Sequence, residues 1–230
     1  MNRRGSTAVA VLALAGAAAA PAAAAPVFDQ MVVFRSGDAK IGTPGTASTR
    51  VRVGGRRCRV PRATPLAALV RSGVRPLVLR DFSGSCDPSS LFVDALGPDR
   101  NRGQRGWVYK VGNRQGTTSA SDPSGPFGSG RIKRRVRVTW FYCLFDNGCQ
   151  RTLGLRVRHV GDGQVTVRVS AYDDEGRGAR AAGAVVHAGK VTATTDARGE
   201  ATLFLSPGKH RLYATKRKLV RSFTEKVTVG

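Results

Sequence analysis

Hydrophobic and polar residues alternate along many short segments of the chain, which is the pattern of β-strands that bury one face. Near the start of the alternating region, Val51-Arg52-Val53 and Arg57-Cys58-Arg59-Val60 flank the pair Gly54-Gly55. Two alternating segments on either side of a glycine pair predict an antiparallel hairpin.

Two further alternating segments hold most of the aromatic residues of the first half. Trp107, Tyr109 and Val111 lie on one face of the earlier segment. In the later segment Phe141 and Cys143 share one face, and the other face presents Val136, Val138, Trp140, Tyr142 and Leu144. Aromatic residues at such positions are typical of a core, and the alternative is an aromatic ligand surface.

A short helix is predicted between the hairpin and these strands. Thr64-Pro65 supplies an N-cap and a proline at the first helical position, and Gly73 stands just past the end. Leu66, Leu69 and Val70 recur at helical spacing and would bury one face against the strands. One short helix among strands predicts an α+β fold for this part of the chain.

The remainder of the chain shows several closely spaced strand patterns and no helix pattern. Asp196-Ala197-Arg198-Gly199 and Pro207-Gly208 are typical turn sequences between strands. These features predict a small all-β sandwich, of the Ig-like or prealbumin-like kind. Its predicted strands cover residues 165–171, 184–187, 190–195, 201–205, 209–214 and 223–229.

A change in composition divides the chain near His159-Val160-Gly161-Asp162-Gly163, which we interpret as a short linker. Every cysteine and both tryptophans lie before this segment. The sequence therefore predicts a disulfide-containing first domain over residues 25–160 and the β-sandwich over residues 161–230.

The N-terminal segment has the organisation of a secretory signal peptide. Arg3 and Arg4 precede an apolar stretch over residues 7–20, and a run of alanines follows. Cleavage after Ala24 is preferred to cleavage after Ala25, because Pro26 would directly follow the second site. We therefore predict a signal peptide over residues 1–24, an extracellular or cell-surface location, and no transmembrane segment in the mature chain.

The cysteine pattern favours disulfides over a metal site. An even number of cysteines in an exported chain is typical of disulfides, and no two of these lie two to four residues apart, as they usually do in structural zinc sites. Three pairings are open; we prefer Cys143 with Cys149, because Asp146-Asn147-Gly148 between them predicts a tight turn. That choice leaves Cys58 with Cys86.

No catalytic, metal-binding or cofactor-binding motif is recognised. His159, His187 and His210 lack partners at ligand or catalytic spacing. Asp173-Asp174-Glu175 lacks the spaced oxygen ligands of a calcium loop, and we interpret it as a solvated turn. We expect a protein that is not an enzyme and needs no cofactor.

A strong basic balance is the remaining indication of function: the formal net charge is +23. Such a surface attracts anionic polymers and lipid head groups, and no specific nucleic-acid motif accompanies it. The predicted basic patch combines part of the first hairpin with a second segment, and Arg50 and Arg62 lie beside it. Its members are Arg52, Arg56, Arg57, Arg59, Arg131, Lys133, Arg134, Arg135 and Arg137.

Residues 49–155 resemble the transcobalamin-like C-terminal domain family, DUF4430. The resemblance rests on Thr64-Pro65-Leu66-Ala67-Ala68-Leu69, on Gly106-Trp107-Val108-Tyr109-Lys110-Val111 and on Trp140-Phe141-Tyr142-Cys143. The Asn-Gly that follows the Trp motif in the family is reversed here as Gly112-Asn113. The resemblance implies a β-grasp-like sheet with one short helix, and corrinoid contact in the animal carriers. It makes Trp107, Tyr109, Asn113, Trp140 and Tyr142 candidate ligand-binding residues.

The C-terminal region is similar to carboxypeptidase-regulatory-like and related Ig-like modules. The similar segments are Ala182-Gly183-Ala184-Val185-Val186, residues 194–201 and Leu205-Ser206-Pro207-Gly208-Lys209-His210. The resemblance implies a spacer or interaction module without chemistry of its own.

These observations together predict a secreted, non-enzymatic binding or surface-interaction protein of a high-GC bacterium. Its expected partner is an anionic component of the cell envelope, either a cell-wall polymer or lipid head groups. The first alternative is an extracellular carrier of a small, corrinoid-like ligand in the first domain. The second is an enzyme whose catalytic residues converge only in the folded structure.

Overall fold

The computed structural model describes residues 29–42, 47–133, 135–145 and 147–230. Within these ranges the chain is mostly β-structure with one α-helix. The predicted signal peptide lies outside the described residues. In the same ranges no helix combines the length and apolar character that a membrane crossing requires.

Among the described residues, ten strands and the helix form the N-terminal part. A five-stranded sheet has the order β2-β1-β10-β8-β9, in which β1 runs parallel to β10; β3 and β4 form a hairpin, and β5, β6 and β7 form a third sheet. The elements are β1 (Gln30–Val33), β2 (Ala39–Gly42), β3 (Thr49–Val53), β4 (Arg56–Val60), α1 (Pro65–Arg71), β5 (Leu77–Asp81), a 3₁₀ turn (Pro88–Ser90), β6 (Leu91–Leu96), β7 (Asp99–Arg100), β8 (Gly106–Val111), β9 (Arg114–Gln115) and β10 (Val138–Cys143).

The helix α1 confirms the predicted start signal. The Thr64 hydroxyl accepts a hydrogen bond from the Ala67 amide at 3.2 Å, and Pro65 occupies the first turn, where a missing N–H costs nothing. Leu66 and Leu69 are fully buried. They pack in one core with the inner residues of the hairpin and with β10, whose Trp140 donates its indole N–H to the Pro65 carbonyl.

Eight strands form the C-terminal part and lie in two four-stranded sheets. One sheet contains β11, β12, β13 and β16, and the other has the order β15-β14-β17-β18. Buried residues from both sheets form one separate hydrophobic core. The strands are β11 (Thr152–Gly161), β12 (Gln164–Tyr172), β13 (Gly178–Arg180), β14 (Val185–Ala188), β15 (Val191–Thr194), β16 (Glu200–Phe204), β17 (Gly208–Thr215) and β18 (Glu225–Val229).

The segment interpreted as a linker is instead the end of a hairpin. β11 pairs with β12 along its whole length, and Asp162 and Gly163 form the turn with φ angles of 51° and 73°. Two left-handed residues with the sequence Asp-Gly are typical of a tight hairpin turn. The sequence prediction did not include β11, although Leu153, Leu155 and Val157 alternate with Gly154, Arg156 and Arg158; the register shift between Val157 and His159 affects only its second half.

Both disulfides have the preferred pairing. Cys58 is bonded to Cys86, and Cys143 is bonded to Cys149. The second bond links the end of β10 to the segment that leads into β11. It therefore closes the connection between the N-terminal and C-terminal parts.

The two parts contact each other through the outer face of the five-stranded sheet. Met31 and Val33 of β1 and Phe141 of β10 form a third apolar cluster with Val220, which precedes β18. Phe223 packs against the same cluster. The face of β10 that carries Phe141 and Cys143, which the alternation separated from the tryptophan face, is therefore buried by the C-terminal part.

A buried lysine on β8 adds a polar connection across the same contact. The Lys110 side chain is fully buried, and its Nζ donates to the carbonyl oxygens of Asp173 at 2.7 Å and Tyr172 at 3.2 Å. Asp174 Oδ1 lies 3.2 Å from the same nitrogen. Burial lowers the pKa of Lys110, and the Asp174 carboxylate opposes that shift. The segment 173–175, interpreted from sequence as a solvated turn, thus anchors the C-terminal part.

We expect the Lys110→Met variant to lower the free energy of unfolding by about 2 to 4 kcal/mol, because it leaves two partly buried carbonyls without their donor and the Asp174 carboxylate without its ion-pair partner. Urea denaturation of the full chain measures the effect. Lys209→Met is the control, because Lys209 is exposed on β17. Equal stability of the two variants would contradict a structural role for the buried ammonium.

Candidate functional site

The hairpin β3–β4 presents four arginines on one face. Its residues alternate, so that Val53, Cys58 and Val60 are buried while the arginines between them are exposed. Strand pairing places Arg50 opposite Arg59 and Arg52 opposite Arg57. The result is a two-by-two array, here called the arginine face, whose members are Arg50, Arg52, Arg57 and Arg59.

The positive charge of the arginine face is not compensated within the described residues, where none of its four guanidinium groups forms an ion pair. Like charges directly opposite each other across two strands are destabilising. Arg56 is the hairpin residue that lies near a carboxylate, with its Nη2 at 3.8 Å from Asp81 Oδ2. Since Arg56 pairs with Val53, it lies on the opposite side of the hairpin from the array. An external anion would relieve the repulsion.

The first disulfide holds this hairpin on the body of the protein. Cys58, on the inner face of β4, is bonded to Cys86 in the loop after β5, with the two Cα atoms 5.1 Å apart. Asp81 orders that loop, because its carboxylate accepts hydrogen bonds from the Cys86 amide at 2.8 Å and from the hydroxyls of Ser83 and Ser90. These donors lower the pKa of Asp81 to about 2, with the Ser90 hydroxyl contributing most. Cys58, Cys86 and Asp81 also lie within 4.8 Å of one another, but both sulfurs are used in the disulfide.

The second predicted basic segment divides into different environments. Arg131, Lys133 and Arg135 are exposed, and Arg134 lies outside the described residues. Arg137 differs from the prediction, since it is half-buried and bonds Glu225 through both terminal nitrogens.

The surroundings of Arg137 explain why it does not belong to a free basic surface. Its guanidinium lies 4.9 Å from the centre of the Phe223 ring, and Asp29 is 3.9 Å away. The hydrogen bond to Glu225 raises the pKa of Arg137. The charge of Arg137 is therefore compensated within the protein by the Glu225 carboxylate.

The structure brings one residue of the second segment to the hairpin. Arg131 lies beside Arg59 and Arg62, and together with Ser48, Pro61 and Pro88 they line a surface pocket of about 580 Å³. We call this the three-arginine pocket. The sequence prediction grouped Arg59 and Arg131 in one basic patch and placed Arg62 beside it, but no local pattern indicated that these three residues meet at one pocket. The pocket shares Arg59 with the arginine face, so the two form one continuous basic surface.

The aromatic candidates for ligand binding occupy a core. Trp107, Tyr109, Trp140 and Tyr142 are at most 8% exposed. Each polar atom of the four rings donates to a backbone carbonyl, those of Asp99, Thr118, Pro65 and Arg100 respectively. Trp107 and Tyr142 pack edge to face with ring centres 5.8 Å apart. These contacts account for the aromatic pattern through packing.

Asn113 does not join the aromatic residues. It is exposed in the turn between β8 and β9, and it lines two surface grooves that none of the four aromatic candidates lines. Trp107, Tyr109 and Trp140 line one surface pocket of about 390 Å³, which Asn113 and Tyr142 do not line. The five candidates from the family resemblance therefore do not all meet at one site among the described residues.

Comparison with known proteins gives no match for this chain: no protein-family model, no curated protein and no solved structure is similar to it.

The low pKa of Asp81 predicts how the hairpin support responds to acid. Because the pKa is about 2 in the folded chain and 3.8 ordinarily, the carboxylate stabilises the fold above about pH 4. This contribution is lost as the pH falls from about 4 through about 2. Asp81→Asn should therefore be less stable than the unmodified chain at pH 7, with the difference shrinking toward pH 2.

Thermal unfolding between pH 2 and pH 7, followed by circular dichroism, measures this change. Asp38→Asn is the control, because Asp38 is exposed in the turn between β1 and β2. If Asp81→Asn and Asp38→Asn shift the midpoint equally at every pH, Asp81 does not support the loop in the way described.

Proposed function

We propose that this protein is a secreted, non-enzymatic binding protein that attaches to an anionic component of the cell envelope through the arginine face. The observation that carries the proposal is the two-by-two array of Arg50, Arg52, Arg57 and Arg59 without compensating carboxylates in the described structure. Cross-strand repulsion makes this arrangement unfavourable in isolation. A bound anionic polymer or lipid surface would relieve this repulsion, so the repulsion in the free protein favours binding.

Guanidinium groups suit such a partner. Each presents several donors in a planar fork that matches phosphate and carboxylate oxygens, and each stays charged at any physiological pH. Several of them on one face give an attraction that depends on salt, because a contact between exposed charges is screened within about 8 Å at physiological ionic strength. No catalytic residue and no cofactor belongs to the proposal.

Export is the second element of the proposal. The two disulfides support it, since such bonds persist in oxidising compartments. The apolar N-terminal segment after Arg3 and Arg4 supports it independently.

The third element is a two-domain architecture. The strand order β2-β1-β10-β8-β9, with β1 parallel to β10 and α1 packed nearby, supports a β-grasp-like first domain of the transcobalamin-like kind. Two sheets around one core support an Ig-like second domain. We place the boundary between β10 and β11, before residue 152, rather than at residue 160.

The central prediction concerns three members of the arginine face. The combined variant Arg50→Gln, Arg52→Gln and Arg57→Gln should bind isolated cell envelopes at least about tenfold more weakly at low salt, because each lost contact contributes about 0.5 to 1 kcal/mol. Co-sedimentation with purified cell walls and with anionic vesicles measures the binding and separates a wall polymer from a lipid surface.

A matched control removes three charges elsewhere. Lys190, Arg198 and Lys209 are exposed in the C-terminal part, and their replacement by Gln changes the net charge equally. Binding that falls equally in both variants would point to net charge instead of the arginine face. Absence of binding by the unmodified protein at low salt would overturn the proposal.

Export makes a separate prediction. N-terminal sequencing of the protein recovered from the medium or surface of the producing cell should begin at Ala25, because cleavage after Ala24 leaves Ala25-Pro26 at the start. Treatment with an alkylating reagent before and after reduction should show all four cysteines blocked in the isolated protein. Recovery of the intact chain with free thiols from the cytosol would contradict export.

A further inference from the structure

We propose that the three-arginine pocket binds a phosphate monoester group of the envelope ligand. The inference rests on the proposed function and adds the chemistry of the group that is recognised. The arginine face supplies general attraction, whereas the pocket would supply a defined site for one tetrahedral dianion.

Backbone contacts hold two of the three arginines side by side. The Ile132 amide donates to the Ala63 carbonyl at 3.1 Å, so that Arg131 and Arg62 flank a hydrogen-bonded pair of residues. Ala63 has a φ angle of 59°, an unusual left-handed conformation for alanine. Ala63 and Ile132 are both buried, which fixes the backbone from which the two cationic side chains extend.

The remaining walls of the pocket are also held in place. The Pro61 carbonyl accepts a hydrogen bond from the Thr64 hydroxyl at 2.9 Å. The Pro88 carbonyl accepts hydrogen bonds from the hydroxyls of Ser119 and Ser121. The third cation, Arg59, lies on β4, one residue after the disulfide-bonded Cys58.

The Arg131 side chain makes one hydrogen bond among the described residues. Its Nε donates to the Pro123 carbonyl at 3.3 Å. Within the described structure the Arg131 guanidinium forms no other hydrogen bond and no ion pair. Both terminal nitrogens therefore keep N–H groups that can donate to a ligand. A guanidinium that is held at Nε and free at its terminal nitrogens can donate two parallel hydrogen bonds to one oxyanion.

The charge of the lining selects the kind of anion. Three guanidinium groups and the Ser48 hydroxyl line the pocket, and no carboxylate is among the described residues that do so. A carboxylate ligand has one negative charge and a planar pair of oxygens. A phosphate monoester has three terminal oxygens and about −1.5 to −2 charge at neutral pH, so it can engage all three cations.

Calorimetric titration of the full chain with inorganic phosphate, at constant ionic strength, tests the site. We expect saturable binding that is stronger at pH 8 than at pH 5, because phosphate gains its second negative charge between these two pH values while arginine stays charged. Glycerol phosphate should bind like phosphate, and acetate should not. Equal heats for acetate and phosphate, or affinity that does not change with pH, would overturn the proposal.

Two variants separate the pocket from the arginine face. Arg131→Gln should weaken phosphate binding at least about tenfold, because it removes a charged two-bond contact. Arg57→Gln removes the same charge from a residue of the arginine face that does not line the pocket, and it should bind phosphate normally. Phosphate binding that is unaffected by Arg131→Gln, or equally reduced by both substitutions, would overturn the assignment of the pocket.

The outcome is distinguishable from failure of the proposed function. If the triple arginine variant still binds cell envelopes but Arg131→Gln loses phosphate, the pocket stands and the role of the arginine face is wrong. If the triple variant loses envelope binding but Arg131→Gln keeps phosphate, the surface role stands and the pocket is wrong. Two binding measurements then identify the source of the group. Binding to vesicles that contain phosphatidic acid indicates a lipid, and loss of binding to cell walls after their phosphate is removed indicates a wall polymer.

Discussion

Attachment of the hairpin's inner face to the protein body is the constraint on which the basic surface depends. A two-stranded hairpin is at best marginally stable by itself, and paired arginines make it less so. Here Val53 and Val60 are buried in the main core, and the bond from Cys58 to Cys86 closes a separation of 28 residues. Such a closure stabilises the fold by about 3.6 kcal/mol in the chain-entropy account. The inner face therefore stabilises a conformation that the outer face disfavours.

Local signals predicted much of the N-terminal part. The hairpin turn at Gly54-Gly55, the cap at Thr64 and the alternation of β10 each depend on residues that are close in sequence, and each is present. The strand β11 was not predicted, although Leu153, Leu155 and Val157 alternate in the sequence; the change in composition at residues 159–163 was interpreted as a linker instead. A glycine-rich segment can be a linker or a tight hairpin turn, and composition alone does not distinguish the two.

The site was only partly predictable for a different reason. The arginine enrichment of the hairpin is visible in the sequence. The pocket, however, also needs Arg131 to lie near Arg59, and the hydrogen bond from Ile132 to Ala63 holds the Arg131 segment there. No local pattern encodes a contact between segments about 70 residues apart. Burial of Trp107 was likewise ambiguous from alternation alone, because a ligand surface and a core produce the same spacing of aromatic residues.

The anchor at Lys110 has a consequence for how freely the sequence can diverge. Two of its three partners are main-chain oxygens, those of Tyr172 and Asp173, which every amino acid provides. Homologous chains could exchange both side chains and still keep these acceptors, whereas the lysine has no backbone substitute. The contact between the two parts would then tolerate substitutions at residues 172 and 173 but not at Lys110.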